Sequence, residues 1–129
     1  MTATYYPALG DVVRLAEKVG APVRDLGLVE SALARPQTTV FGEDAYPDLW
    51  TKVAALLHSM VNNHPFIDGN KRMGWLAAIT MLYQNGGVTS ADIANADQDA
   101  AYDLVIAIAE NRLLEVVDVA AALKRVFGH

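Results

Sequence analysis

The residues best suited to chemistry lie in one short segment, residues 64–72, which reads HPFIDGNKR. His64 carries an imidazole, a side chain that exchanges protons near neutral pH, so it is the candidate general base for an attacking hydroxyl. Asp68 supplies a carboxylate of the kind that holds Mg²⁺ against phosphate oxygens. Lys71 and Arg72 follow as two consecutive cations. Together these residue types predict a nucleotide site with a base beside it.

Four adjacent residues, Gly69, Asn70, Lys71 and Arg72, are predicted to bind phosphate. A glycine where a helix begins lets an anion approach free backbone N–H groups at the positive end of the helix dipole. Cations in the first turn oppose that dipole, so Lys71 and Arg72 are favourable mainly when an anion binds between them. The segment therefore favours phosphate binding at the start of a helix.

Ordinary structural roles for the same residues are open alternatives. Asp68 is a typical helix N-cap, and Gly69-Asn70 is a typical turn before a helix. A metal pair of His64 and Asp68 lacks a third ligand nearby. His58, on the preceding helix, is interpreted as structural. The functional interpretation depends on the joint occurrence of these residue types in one segment.

Two apolar residues inside the segment, Phe66 and Ile67, are predicted to anchor the loop in the core. Pro65 excludes His64 from helical geometry and ends the preceding helix, because a proline disfavours the helical conformation of the residue before it. The imidazole is therefore expected on a short loop between two helices.

Helices must position this loop, because apolar residues recur at helical spacing along most of the chain. Residues 73–83, MGWLAAITMLY, are apolar on every side, which predicts a helix buried at the centre of the domain. The helix before the loop has a broad apolar stripe. The pattern predicts about six helices: Asp11 to Gly20, Asp25 to Arg35, Asp48 to the residue before His64, after Gly69 to Gln84, and helices through Ala101–Ile108 and Val116–Phe127.

Helical periodicity disappears between residues 37 and 47. Thr38, Thr39, Val40 and Phe41 form a β-branched and aromatic run that ends at Gly42, a pattern typical of a short strand or hairpin. The predicted fold is thus an all-α bundle with a small β flap.

Length, charge and composition exclude several classes of protein. A chain of 129 residues is long enough for one core and too short for two, so residues 1–129 are expected to form a single domain. The net charge of −5 gives no general attraction to nucleic acids or anionic membranes. No apolar stretch reaches the roughly 20 residues of a membrane span. The absence of cysteine agrees with a reducing compartment, and a cytoplasmic location is expected.

The segment HPFIDGNKR resembles the signature of the Fic/Doc (Fido) family, which is His-Pro-Phe-any-Asp/Glu-Gly-Asn-Gly/Lys-Arg. The short chain and the stretches GLVESALARPQ and TTVFGEDAYP are similar to the Doc branch of that family. The resemblance implies the Fic fold, with His64 activating the target hydroxyl and Asp68 holding Mg²⁺. It also implies that the Gly69-Asn70 backbone forms an anion hole and that Arg72 grips phosphate.

Lys71 carries the most specific part of the resemblance. Most Fic proteins have glycine there and transfer AMP, whereas the Doc branch has lysine and transfers the terminal phosphate of ATP. The resemblance therefore implies a toxin that uses ATP and Mg²⁺ to phosphorylate a hydroxyl of elongation factor Tu and so arrests translation. It also implies a Phd-type antitoxin that places a helix in a groove near the flap. AMP transfer by the same loop and a non-enzymatic module that binds a partner helix are the alternatives.

Overall fold

Local signals in the chain start and stop most of the helices. Asp25, Asp48 and Asp97 each accept a hydrogen bond from a backbone N–H in the turn that follows, which satisfies part of a free helix N-terminus. Gly20 ends the first helix with φ of 73°, the left-handed conformation that glycine adopts without a steric penalty.

The structure, a computed structural model, describes residues 3–113 and 115–129. A 3₁₀ turn covers Arg35–Gln37, and the two strands are β1 (Thr39–Val40) and β2 (Glu43–Asp44). The predicted all-α bundle with a small β flap is confirmed. The described part of the chain contains seven α-helices: α1 (Leu9–Val19), α2 (Leu26–Ala34), α3 (Leu49–Asn62), α4 (Asn70–Gln84), α5 (Ser90–Ala94), α6 (Gln98–Ala109) and α7 (Val116–Val126).

The short helix α5 was absent from the sequence expectation of about six helices. Its five residues are too few to show an apolar period. A capping box was the available signal: Asp92 N donates to Thr89 Oγ1 over 3.1 Å, and Thr89 N donates to Asp92 Oδ2 over 2.9 Å.

The most buried helix is α3, which packs against α2, α4, α6 and α7. Five consecutive residues, 53–57, have no exposed surface, so burial on this helix extends beyond the broad apolar stripe that the sequence predicts. The expectation that α4 is buried on every side was also wrong, since Tyr83 is 52% exposed. Helix α3 has neighbours around most of its circumference, whereas part of α4 faces solvent.

Close packing between α3 and α4 fixes the two ends of the loop that joins them. A Cβ atom on Gly74 would lie 2.8 Å from Val61 Cγ2, so only glycine allows this approach. The last turn of α3 and the first turn of α4 are therefore held side by side.

The flap is a two-stranded antiparallel hairpin. Thr39 pairs with Asp44, and Val40 pairs with Glu43. Phe41 and Gly42 form the turn with φ of 52° and 81°, the pair of positive values that suits a two-residue hairpin. Among residues 3–113 and 115–129, no helix is long and apolar enough to cross a membrane.

Candidate functional site

The loop between α3 and α4 is held in an extended conformation by the segment that follows α1. Phe66 forms an antiparallel bridge with Val23. Ile67 N donates to Pro22 O over 2.8 Å, and Arg24 N donates to Pro65 O over 2.8 Å. These backbone bonds give the loop a defined path, although its residues belong to neither helix.

Asn70 closes the loop onto the first turn of α4. Its Oδ1 accepts a hydrogen bond from Phe66 N over 2.9 Å, and its Nδ2 donates to Phe66 O over 3.0 Å. This reciprocal pair satisfies both backbone groups of Phe66, as a strand partner would. The side chain of Asn70 therefore has a structural role, and its backbone N–H lies in the predicted phosphate-binding turn.

The extended loop sends its two apolar side chains in opposite directions. Phe66 is 1% exposed and belongs to the core, whereas Ile67 is 69% exposed. The expectation that Ile67 also anchors the core was therefore wrong. Neighbouring residues of an extended segment face opposite sides, and only one side of this loop faces the core.

His64 is exposed and has φ of 51°. Histidine is one of the residues enriched in this left-handed region, which costs an ordinary residue roughly 1–2 kcal/mol. The side chain of Arg24 holds the backbone in this conformation, because its Nε donates to His64 O over 2.8 Å and its Nη2 donates to Asn63 O over 3.3 Å. The imidazole thus leaves the end of α3 in a fixed backbone geometry and faces solvent.

The N-terminus of α4 has no side-chain cap. Met73 N donates to Gly69 O over 2.8 Å, so the N–H groups of Asn70, Lys71 and Arg72 precede the first intrahelical bond. Gly69 has φ of 86°, and a Cβ there would lie 3.1 Å from Ala21 Cβ. The backbone amides at this end are suited to an anion.

Asp68 precedes the cap position and does not cap the helix. Its Oδ1 accepts a hydrogen bond from Gly69 N over 2.9 Å, and the residue is exposed. Among the described residues, no group of three or more His, Cys, Asp or Glu could hold a metal ion. Mg²⁺ commonly binds one or two carboxylates together with phosphates and waters, so a single exposed carboxylate beside an anion site fits its requirements.

Lys71 and Arg72 are exposed on the first turn of α4. Arg72 Nη1 donates to Val19 O, at the end of α1, over 3.1 Å. Both cations line a cavity of about 310 Å³, together with Trp75 and Tyr102. Trp75 and Tyr102 could not be predicted as site residues from the sequence, because the cavity forms between α4 and α6 and no local spacing connects the two helices.

The remaining predicted site residues, Thr38, Thr39, Val40 and Phe41, lie on the flap and are all exposed. The flap leads into the N-terminus of α3, while His64 follows its C-terminus. His58 lies within α3, and its pKa is lowered from the ordinary value by burial and by Arg35, with a smaller opposing contribution from Glu115. This environment agrees with the structural interpretation of His58.

The amino-acid sequence was compared with those of known proteins and protein families. The chain is 54% identical over 87 residues to the protein named Toxin Doc of Mycolicibacterium smegmatis (strain ATCC 700084 / mc(2)155). That match covers 67% of this chain and 65% of the relative, slightly less than two thirds of its length. Residues 4–82 match the Fic/DOC family, and this range contains the flap and the whole loop from His64 to Arg72. Because the match spans more than half of the chain, the protein belongs to the Fic/DOC family.

Proposed function

We propose that this protein is the toxin of a toxin–antitoxin module and that it transfers the γ-phosphate of ATP to a hydroxyl of a target protein. Family membership and the similarity to a protein named Toxin Doc support the assignment. The main structural support for the proposed activity is the arrangement of the loop. An exposed imidazole precedes an uncapped helix N-terminus that bears two cations.

The residues of the loop account for a direct phosphoryl transfer. His64 takes the proton of the acceptor hydroxyl, and the resulting oxygen forms a bond to the γ-phosphorus as the bond to the β–γ bridging oxygen breaks. The products are a phosphorylated protein and ADP. The backbone amides of residues 70–72 and the side chains of Lys71 and Arg72 stabilise the negative charge on the phosphates. Asp68 would hold Mg²⁺, which would supply further neutralisation of that charge.

The cavity beside the cations supports a nucleotide as the donor. Its aromatic residues, Trp75 and Tyr102, and its two cations, Lys71 and Arg72, suit a molecule that has both a planar base and phosphates. A small phosphate donor would need only the helix N-terminus. We propose Lys71 as the residue that selects γ-phosphate transfer, because a lysine side chain would fill space that a diphosphate would need at this N-terminus.

Incubation with cell lysate and ATP labelled at either the α- or the γ-phosphate tests the proposed reaction. Label should move to protein from γ-labelled ATP and not from α-labelled ATP. Purified elongation factor Tu is the first acceptor to test. Transfer from α-labelled ATP would establish AMP transfer instead, and absence of both nucleotide binding and transfer would favour a binding module.

His64→Ala provides the decisive variant. The exposed imidazole makes little packing contribution, so the variant should remain folded by circular dichroism while transfer and growth arrest are abolished. His129→Ala, at the C-terminal residue, is the matched control and should retain transfer. A folded His64→Ala protein with transfer equal to wild type would exclude His64 as the base.

We propose a Phd-type antitoxin as the partner, with an apolar helix face placed near the flap. The exposed apolar side chains of Val40 and Phe41, 54% and 102% exposed, support a contact surface there. Co-expression with the product of the neighbouring gene, followed by purification, should yield a stable complex. Paired Val40→Ser and Phe41→Ser substitutions should weaken that complex without unfolding the toxin.

A further inference from the structure

The backbone at His64 departs from the conformation that its neighbour in sequence favours. A residue that precedes a proline ordinarily has a negative φ, yet His64 has φ of 51°. The residue is exposed, so burial of the imidazole in the core does not impose this conformation. Because φ sets the direction of the Cα–Cβ bond relative to the preceding helix, another contact must fix the orientation of the candidate base.

The end of α3 leaves backbone carbonyl groups to be satisfied by other donors. The last carbonyls of a helix have no partner within it, and Pro65 has no N–H to offer them. The side chain of Arg24 supplies two donors here, because its Nε bonds to His64 O over 2.8 Å and its Nη2 bonds to Asn63 O over 3.3 Å. One guanidinium thus bridges the candidate base and the C-cap residue of α3, where the helix dipole also favours a cation.

The main chain of Arg24 is itself fixed to the same loop. Arg24 N and Asp25 N both donate to Pro65 O, over 2.8 and 3.1 Å. Asp25 is also the N-cap of α2, where its side chain accepts a hydrogen bond from Leu28 N. The guanidinium is therefore carried by a supported backbone, which accurate positioning of a functional group requires.

The part of the loop that follows has anchors of its own. Phe66 is 1% exposed and forms a bridge with Val23, and the side chain of Asn70 bonds to both of its backbone groups. None of these contacts involves the side chain of Arg24. Loss of the guanidinium should therefore change the backbone of residues 63 and 64 and leave the N-terminus of α4 in place.

We propose that Arg24 is a positioning residue for the phosphoryl transfer, because its guanidinium holds the backbone of Asn63 and His64 in the conformation that directs the imidazole towards the acceptor hydroxyl. Without this fork, water replaces the guanidinium at the two carbonyls, and His64 relaxes towards the negative φ that a following proline favours. A small displacement of a catalytic group greatly lowers the rate of the chemical step. The positioning role rests on the proposed phosphotransfer, whereas the contact with the loop does not.

Transfer from γ-labelled ATP to the labelled acceptor of the lysate separates positioning from binding. Arg24→Met should lower kcat at least tenfold, while the Kd for Mg–ATP stays within twofold of wild type. Arg24→Lys retains a cation at the end of α3 but not the planar fork, so it should lose kcat as Arg24→Met does. Arg14→Met is the matched control and should retain kcat, because it removes an exposed arginine whose ion-pair partner, Asp11, lies in the same helix.

The Cα and Cβ chemical shifts of His64 in isotope-labelled protein report its backbone conformation without any transfer. These shifts should change in Arg24→Met and in Arg24→Lys and stay unchanged in Arg14→Met, while the shifts of Lys71 remain those of wild type.

Four results would overturn the positioning role: wild-type kcat in Arg24→Met, wild-type kcat in Arg24→Lys, an equal loss of kcat and of Mg–ATP affinity, or loss of the fold by circular dichroism in both variants. If the wild-type protein transfers no label at all, the proposed function fails and the positioning role fails with it. The shifts of His64 then decide whether the contact between Arg24 and the loop is retained, and unchanged shifts would reject that contact too.

Discussion

Asn70 divides its side chain and its backbone between two tasks. Its side chain bonds to both backbone groups of Phe66, while its backbone N–H precedes the first intrahelical bond of α4. Arg72 likewise has one donor on Val19 O, and its remaining N–H groups lie beside the cavity. Asn70 and Arg72, which the segment HPFIDGNKR predicts to bind phosphate, thus also stabilise the conformation of the loop.

Asp68 gives the first prediction at this scale. Asp68→Ala removes the carboxylate proposed to hold Mg²⁺, so the affinity for ATP should no longer depend on Mg²⁺. Isothermal titration with ATP, in the presence of Mg²⁺ and in the presence of EDTA, measures the difference. Asp118→Ala on α7 is the control and should retain the Mg²⁺ dependence. Equal binding with and without the metal in wild type would exclude the metal role of Asp68.

The role proposed for Lys71 gives the second prediction at this scale. Lys71→Gly removes a charge-assisted contact, commonly worth about 1.5–3 kcal/mol, so γ-phosphate transfer should fall by about ten- to a hundredfold. The variant also opens space for a diphosphate, and it should gain transfer from α-labelled ATP. Lys71→Met removes the charge while retaining most of the volume, so it should lose γ-transfer without gaining α-transfer. Unchanged γ-transfer in both variants would remove Lys71 from the site.

At the scale of elements, one helix end and one loop make the candidate site. The uncapped N-terminus of α4 lies against the turn after α1, since a Cβ on Gly69 would approach Ala21 Cβ at 3.1 Å. Position 69 must therefore lack a side chain, because a Cβ there would meet Ala21. Helix α3 holds the other end of the loop, because the glycine at position 74 allows α4 to approach it closely.

Gly69→Ala should displace this helix end. Both Gly69 and Gly86 have positive φ, 86° and 74°, but only a Cβ at Gly69 meets a neighbour within 4 Å. Gly86→Ala should therefore lower the free energy of unfolding by the conformational strain alone, about 1–2 kcal/mol. Gly69→Ala should lower the free energy of unfolding in urea by more than that, and it should also weaken Mg–ATP binding. Equal costs in the two variants, with unchanged nucleotide affinity, would show that the contact with Ala21 is unimportant.

At the scale of the whole molecule, His58, which contacts Arg35 and Asn62, is expected to make the free energy of unfolding depend on pH. Burial and the Arg35 guanidinium lower the pKa of His58 from its ordinary value of 6.5, and Glu115 opposes them. The unfolded chain therefore binds a proton at a higher pH than the folded protein does. The stability that neutral His58 contributes is fully present above pH 6.5 and decreases as the pH falls from 6.5 towards the lower pKa of the folded protein.

His58→Gln should flatten this dependence, because glutamine can accept the bond from Arg35 and does not titrate. Urea unfolding at several pH values between 7 and 5 measures the slope of the free energy of unfolding. His64→Gln, a change at an exposed imidazole, is the control and should retain the slope of wild type. An identical slope in His58→Gln and wild type would show that another group causes the loss at acid pH.

The sequence by itself determined most of the elements and the choice of candidate site residues. Capping aspartates, Pro36, Gly20 and the apolar period act within one or two turns of chain, so they predict α1 to α4, the flap and the loop of HPFIDGNKR without knowledge of the fold. These signals are local because backbone hydrogen bonds and steric limits act between near neighbours. The short helix α5 was not predicted, because no apolar period accompanies its capping box.

Only the tertiary structure decided which side chains meet across the chain. The bridge between Val23 and Phe66, the bonds from Arg35 to Tyr46 and Ser59, and the cavity between α4 and α6 join residues with no common spacing. Burial also depends on the tertiary structure. Ile67 and Phe66 are both apolar, yet Ile67 faces solvent, because an extended loop has two sides and the core covers only the side of Phe66. Residue types predict the chemistry of a site, but packing between distant elements determines its shape and its support.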